Sequence, residues 1–538
     1  MSGKRFRVPK VDVSLSDAEV AVTQTRQFQR LFHLKQLGLA YLVYPAATHT
    51  RGAHSIQCLL EASRILAALG IAEADAEDVR MAALLHDIGH IPFSHTLEDE
   101  HSVFPKHDRP ERLKSSIDLL LADLPSEHHA RVEVAVPILH ALSSDDESTQ
   151  NWKSDVVGNT VCADLLAYIA ADAACTGIEK RPGYYRIYEY FTRESDRLCI
   201  RLTKGGLRND IVSAIMDLLD MRYALTERVI FHHAKCTASA MLARAVQLCG
   251  VVEDSSLLRM GDEGFLTHLE DLARSLQSPE GRGALNLVNG LLCRRLYQRI
   301  FKVGREARES WDHSRRQDAF CSKWRDPAEV AALLEQTEDT LDLPRGSLVM
   351  WCPQAKAGMK LARAKVVWDS ADGLQGPIEL RADRVKQQFP GVWKRVETIE
   401  DQYRDLWTFW IGLDRRFAHR AAAVVRSLED QVGIRCDEVF EETYLYGIPG
   451  YRENVNRGRR VSEVWHAMEP KVEEMLVQQS AYDGQQHTDD AVIRKAIAAA
   501  ATQASPTRPK KSDDQVKMFA SEEKPKSEPS DNSSGEKK

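Results

Sequence analysis

Apolar residues recur every three or four positions along most of the first half of the chain, the spacing of helices that bury one face. Residues 14–45 open with a helix cap at Ser14 or Ser16 and continue through Val20, Phe28, Leu31 and Leu34. The same period predicts helices over 51–70, 77–90, 110–123, 130–142 and 160–176, parted by short Gly, Pro, Ser and Asp stretches. Residues 1–180 are expected to form one helical core. Asn209–Gly250, Phe265–Ser275 and Ala284–Phe301 keep helical patterning and predict a second helical layer within 181–340. From 346 to 382 the pattern changes: Ser347–Trp351 and Ala362–Trp368 alternate or run apolar between turn residues, which predicts two or three strands. Residues 395–432 return to helical spacing, so 341–500 is expected to be a small α+β region. The tail 501–538 is rich in Ser, Pro, Lys and Glu and has too few core formers to offset its ordering entropy, so disorder is expected there. The fold class expected is mainly α: a helical core, a second helical layer and a small β-containing C-terminal region.

Composition narrows the function classes. With 43% hydrophobic and 28% charged residues the chain reads as folded and globular. A formal net charge of −7 gives no global attraction to nucleic acid or anionic membrane, so any anion site is local. Ten cysteines without a C-x-x-C pair argue against a thiolate zinc site. No apolar run reaches membrane-spanning length, and the basic residues of Met1–Lys10 precede no apolar stretch; no membrane partner and a cytoplasmic location are expected. Two basic stretches, Arg294–Arg308 and Arg457–Arg460, suit an effector nucleotide or nucleic acid, or else are solvated helix surface.

Chemistry concentrates in one segment, Ala82-Ala-Leu-Leu-His86-Asp87-Ile-Gly-His90-Ile-Pro92-Phe-Ser-His95. If the helix continues to residue 90, His86 and His90 lie one turn apart on one face, with Asp87 beside His86. Pro92 then turns the chain off the helix and places His95 on a turn. Adjacent imidazole and carboxylate suit a divalent cation such as Mn, Fe, Co, Ni or Zn, whereas an isolated His-Asp pair is also compatible with a helix end capped by its own side chains. Two further segments join it. Arg51 and His54 share a face three residues apart, and Asp164, Tyr168 and Asp172 form a four-residue stripe on a later helix. A solvated helix face is the alternative for that stripe.

The order His54, His86-Asp87, Asp164 resembles the signature of HD-domain phosphohydrolases. More narrowly, Phe28-Gln-Arg-Leu31, Lys35-Gln36-Leu37-Gly38, His49-Thr-Arg51 and His86–His95 resemble the deoxynucleoside triphosphate triphosphohydrolases of the SAM- and HD-domain-containing type, with no SAM domain expected. The resemblance implies one divalent metal ion (Mn, Fe, Mg, Co, Ni or Zn) held by His54, His86, Asp87 and Asp164. It implies a catalytic cluster of His90, His95, Glu98, His107 and Asp108, with His95 as general acid supported by Glu98. It further implies a nucleotide substrate contacted by Gln36 and Leu37 at the sugar, Asp172 at the 3′-hydroxyl, and Arg51, Tyr168 and Arg222 at phosphate or sugar, and a homo-oligomer. Leu165 and Ile230 depart from a lysine and a tyrosine of that family, which leaves an HD phosphodiesterase or nucleotidase acting on another phosphoester as the alternative. A non-catalytic nucleotide- or nucleic-acid-binding regulator is the second alternative.

Overall fold

The computed structural model describes residues 5–8, 11–144, 146–178, 184–253, 255–304, 315–354, 363–434 and 436. The tail 501–538 and the arginines Arg305, Arg308, Arg457, Arg459 and Arg460 lie outside them. The described chain is mainly helical, with three small sheets. Ser16, not Ser14, caps the first helix, Asp17–Thr23: its hydroxyl accepts from the Glu19 amide, and the Glu19 carboxylate accepts from the Ser16 amide at 2.8 Å. The helix Arg51–Leu69 starts behind the Thr50 cap and ends at Gly70, whose φ of 65° closes the helix in the left-handed conformation. It packs between the helices Glu73–Leu85 and Ala163–Thr176. Ile56, Leu59 and Ala62 meet Leu84, Leu166 and Ile169 there in one apolar core, and each fully buried Leu or Ile contributes about 2 kcal/mol.

Several predicted helices end or break where tertiary pairing overrides periodicity. The helix expected over 77–90 runs Glu73–Leu85. That over 130–142 divides into His129–Glu133 and Val136–Ser143, with Pro137 in the first turn of the second. Asn209–Gly250 is two helices, Asn209–Leu225 and His233–Leu248, separated by the π-helical turn Thr226–Ile230. Ala284–Phe301 is a helix, Pro279–Leu292, followed by a strand, Gln298–Val303; Arg294 takes φ 53° between them. Within 395–432, the run Phe409–Leu413 is a strand buried on both faces, so no alternation betrays it. It is the centre of a three-stranded antiparallel sheet, flanked by Gln298–Val303 and Leu348–Trp351.

The four-stranded sheet joins two hairpins, Phe191–Glu194 with Arg197–Arg201 and Lys365–Ser370 with Gly373–Glu379, through a short parallel pairing of Ile200 with Val366. Val366 and Trp368 of this sheet and Val396 and Tyr403 of the helix Pro390–Asp405 share the core of the N-terminal helices. Among the described residues no helix is long and apolar enough to cross a membrane.

A buried polar knot ties the second helical layer to the turn that follows the His-Asp segment. Glu100 takes the Lys235 ammonium and, at 2.7 Å, the Ser239 hydroxyl; the His101 ring lies 2.8 Å from the same hydroxyl and edge-on to Trp351. Burial, reinforced by Lys235 and Arg325 and opposed by Glu100, lowers the His101 imidazole to about 3. An unfolded histidine titrates near ~6.5. Between these values the unfolded chain binds the extra proton, so stability falls as pH falls through that window, by at most about 1.4 kcal/mol per pH unit. His101→Gln, which keeps a hydrogen-bonding group, is expected to flatten this part of the urea-midpoint profile between about pH 6.5 and 4.5. Parallel profiles for the variant and the parent would refute the assignment.

Candidate metal centre and active-site cavity

Three separate segments deliver the polar side chains. Arg51 opens the helix Arg51–Leu69 and His54 follows one turn later. The helix Glu73–Leu85 stops at His86, its C-cap, and Asp87–His90 continue as turn rather than helix, so His86 and His90 do not share a helical face as the spacing predicted. Asp164 lies in the first turn of Ala163–Thr176. The His86 Nδ1–H donates to the Ala83 carbonyl at 2.8 Å, which leaves its Nε2 lone pair directed inward.

That Nε2 lies 3.2 Å from His54 Nε2, 3.4 Å from Asp87 Oδ1 and 3.8 Å from Asp164 Oδ1. His54 Nε2 lies 3.0 Å from Asp164 Oδ1 and 3.8 Å from Asp87 Oδ2. Neighbouring ligands about 2.1 Å from one ion stand roughly 3 to 3.4 Å apart. The spacing and the mixed imidazole–carboxylate donor set therefore fit a divalent cation. Burial works against ionisation of Asp164, but the hydrogen bond and charge of His54 override it and hold the carboxyl at about 2. Burial opposes ionisation of Asp87 as well; the charges of His86 and Arg51 still bring it well below the ordinary carboxylate range. Arg51, itself buried, donates from Nη1 to Asp87 at 2.8 Å and from Nε to the Ser94 hydroxyl at 2.7 Å. Its Nη2 is buried without a hydrogen-bond partner among the described residues.

A second cluster stands behind the first. His90 is fully buried, stacks on His107 with ring centroids 3.6 Å apart, and places Nε2 3.2 Å from Asp87. Burial, with Arg51 and His107 adding to it, lowers His90 to about 3, so the ring is neutral. Burial also lowers His107, but its hydrogen bond to Glu98 at 3.2 Å reverses the balance and raises it overall. Asp108 adds to that field from the cavity wall. His95 does not follow the expected pairing with Glu98: its Nδ1 meets Asp99 Oδ2 at 2.6 Å, while Glu98 is buried between His107, His90 and Arg112. The helix has already ended at Leu85, so Pro92 is not what releases His95; His95 instead caps the π-helical turn Thr96–Glu100. Phe93 and Ser94 just before it take φ of 59° and 46°. Such a conformation costs on the order of 1–3 kcal/mol per residue. The Asp262 carboxylate holds it in place, accepting from the Phe93 amide and, across the site, from the Lys35 amide, each at 2.8 Å.

Both clusters face a cavity of about 1470 Å³. Gln36, Leu37, Arg51, Tyr168, Asp172 and Arg222 line it together with the four candidate ligands, His95, His107 and Asp108. His90 and Glu98 do not line it; they lie behind the histidines that do. Tyr168 is pushed up by burial, so its phenol keeps its proton and can donate. Ile230 is on the wall, whereas Leu165 is buried in the apolar core. Arg363, Arg381 and Arg404, which the sequence did not single out, border the same cavity. Asp99, Arg112, Asp262 and His49 were also missed. Only His49, inside the quoted His49-Thr-Arg51 motif, carried a local signal.

Comparison with known proteins follows this geometry. The family model for the HD domain matches residues 51–176, the interval from Arg51 through the helix of Asp164 and Asp172. An uncharacterized protein of Methanocaldococcus jannaschii is 31% identical over 242 residues, covering 44% of this chain and 47% of the relative. The Dictyostelium discoideum deoxynucleoside triphosphate triphosphohydrolase SAMHD1 homolog is 26% identical over 302 residues, covering 52% of this chain and 56% of the relative. The chain thus spans about half the length of these curated relatives. In fold, the crystal structure of a phosphohydrolase from Bacteroides thetaiotaomicron superposes with a TM-score of 0.54 at 18% identity, covering 76% of this chain and all of that one. Residues 51–176, which carry all four candidate ligands, therefore match the HD-domain family.

Proposed function

We propose that the protein is a metal-dependent phosphohydrolase that cleaves deoxynucleoside triphosphates to deoxynucleoside and triphosphate. The observation that carries this reading is the convergence of His54, His86 and Asp164 within 4 Å of one another, with Asp87 within 4 Å of both histidines, at the wall of a cavity also lined by Gln36, Leu37, Asp172 and Arg51. The similarity to a deoxynucleoside triphosphate triphosphohydrolase homolog supports it. Those four residues would hold one divalent ion. When bound, it would supply Lewis-acid chemistry, drawing electron density from a phosphoryl group and making a nearby water more acidic.

The chain's own residues account for the rest. Arg51 keeps its buried Nη2 group for a phosphate oxygen, and its Nε and Nη1 donors fix the guanidinium against Ser94 and Asp87. His95 is the general acid: its Nδ1–H donates to Asp99, which orients the ring, and the imidazolium form would give its Nε2–H to the departing oxygen. His107 closes the same wall and is oriented by Glu98. Tyr168 and Arg222 present a phenol donor and a cation to the phosphate chain.

A second reading, an HD phosphodiesterase or nucleotidase, draws on two positions. Leu165 is in the core and offers no cation to a polyphosphate, and Ile230 puts an aliphatic wall where an aromatic ring would contact the sugar.

A panel of deoxynucleotides, ribonucleotides, monophosphates and cyclic nucleotides separates the two. Intact triphosphate released from deoxynucleotides alone is expected, and Asp87→Ala should abolish it; turnover confined to cyclic or monophosphate esters would establish the second reading instead. In calorimetric titration with Mn²⁺, Asp164→Ala should bind at least about 100-fold more weakly than the parent. Equal affinity would remove Asp164 from the ligand set. His95→Ala is expected to lower kcat by about 10²- to 10⁴-fold with Mn²⁺ affinity unchanged. A loss confined to KM would exclude His95 as the acid.

A further inference from the structure

Behind the wall that carries Gln36 and Asp172 stands a histidine that neither the metal ring nor the acid cluster uses. His49 Nε2 lies 2.8 Å from Asp172 Oδ1, and its backbone carbonyl accepts from the Gln36 amide at 2.9 Å. One residue thus brackets both polar groups of this part of the cavity. His49 does not itself line the cavity, whereas Gln36 and Asp172 do. The side chains of His49 and Asp172 are 15% and 7% exposed, so the contact is shielded from water.

The donor count shows what the bracket is for. A carboxylate only accepts, so the imidazole donates from Nε2, and Asp172 Oδ1 is committed to it. Oδ2 remains for a donor in the cavity. Gln36 Oε1 is buried without a hydrogen-bond partner among the described residues. A side-chain amide can present either its oxygen or its nitrogen to a ligand, so Gln36 and Asp172 together offer one donor and one acceptor. A hydroxyl, which donates once and accepts, satisfies both. Without His49 the carboxylate would be free to rotate about its χ angles in a roomy cavity, and its free oxygen would lose its fixed direction.

We propose that His49 is the positioning residue that sets the protein's selectivity for a substrate sugar bearing a 3′-hydroxyl, by holding Asp172 as a fixed acceptor beside Gln36. This deepens the phosphohydrolase reading above and rests on it. His49 touches no reacting atom; its effect passes through Asp172.

The test compares kcat/KM for each deoxynucleoside triphosphate with that for its 2′,3′-dideoxy counterpart, using the full chain loaded with Mn²⁺. The parent should favour the 3′-hydroxyl on the order of 100-fold or more, since a buried polar pair rejects an analogue that leaves it unpaired. His49→Met fills the space without a donor and should shrink that preference to about tenfold or less, mainly through the KM of the hydroxylated substrate. His49→Gln keeps a donor and should restore most of it. Should His49→Met fail to fold, His49→Ala supplies the same comparison. If the parent discriminates and the Met and Ala variants lose activity equally on both substrates, with the preference intact, the positioning role is overturned while the phosphohydrolase reading stands. If the parent hydrolyses no nucleoside triphosphate, both fall together.

Discussion

The structure depends on keeping one carboxylate, Asp87, ionised and fixed in a buried site. A lone buried carboxylate would take up a proton, because desolvation costs several kcal/mol. Here the Arg51 guanidinium binds one oxygen, and the rings of His86 and His90 stand within 3.4 Å of the other. Arg51 in turn requires the Ser94 hydroxyl, Ser94 requires a left-handed backbone, and the Asp262 carboxylate on a distant helix holds that backbone through Phe93. The second helical layer is thereby coupled to the candidate metal centre by hydrogen bonds as well as by apolar packing. It acts as a support without which the turn carrying His95 would relax.

The same geometry separates the tasks of four histidines. His54 and His86 present Nε2 atoms toward a shared point, with the other nitrogen of His86 spent on a backbone carbonyl. His90, neutral and unexposed, serves as a spacer between Asp87 and His107. His95, about half exposed and paired with Asp99, is the one placed to exchange a proton with a ligand in the cavity. Burial and partner decide each role more than residue type does.

Much of the site was legible because its chemistry is local in sequence. The Thr50 cap, the Arg51-to-His54 spacing, the His86–His95 run and the Asp164–Tyr168–Asp172 stripe each sit within a few residues, and the resemblance to the triphosphohydrolases joined them. The helical core was legible for the same reason: its apolar period persists from Arg51 to Leu69 and from Ala163 to Thr176. What escaped was non-local. Asp99 displaced Glu98 as the partner of His95 because the π-helical turn rotates Glu98 inward toward Arg112. The strands Gln298–Val303 and Phe409–Leu413 were hidden because one carries a bulge and the other is buried on both faces, which erases the two-residue period. Asp262 lies more than a hundred residues from the turn it holds, with nothing in its neighbourhood to mark it.

The central claim, that three distant segments close around a single cation, is tested most directly by anomalous diffraction from crystals grown with Mn²⁺. A peak is expected within about 2.5 Å of the Nε2 atoms of both His54 and His86 and of carboxylate oxygens of Asp87 and Asp164. Anomalous density only elsewhere in the molecule, or these four side chains standing apart with no ion among them, would contradict it.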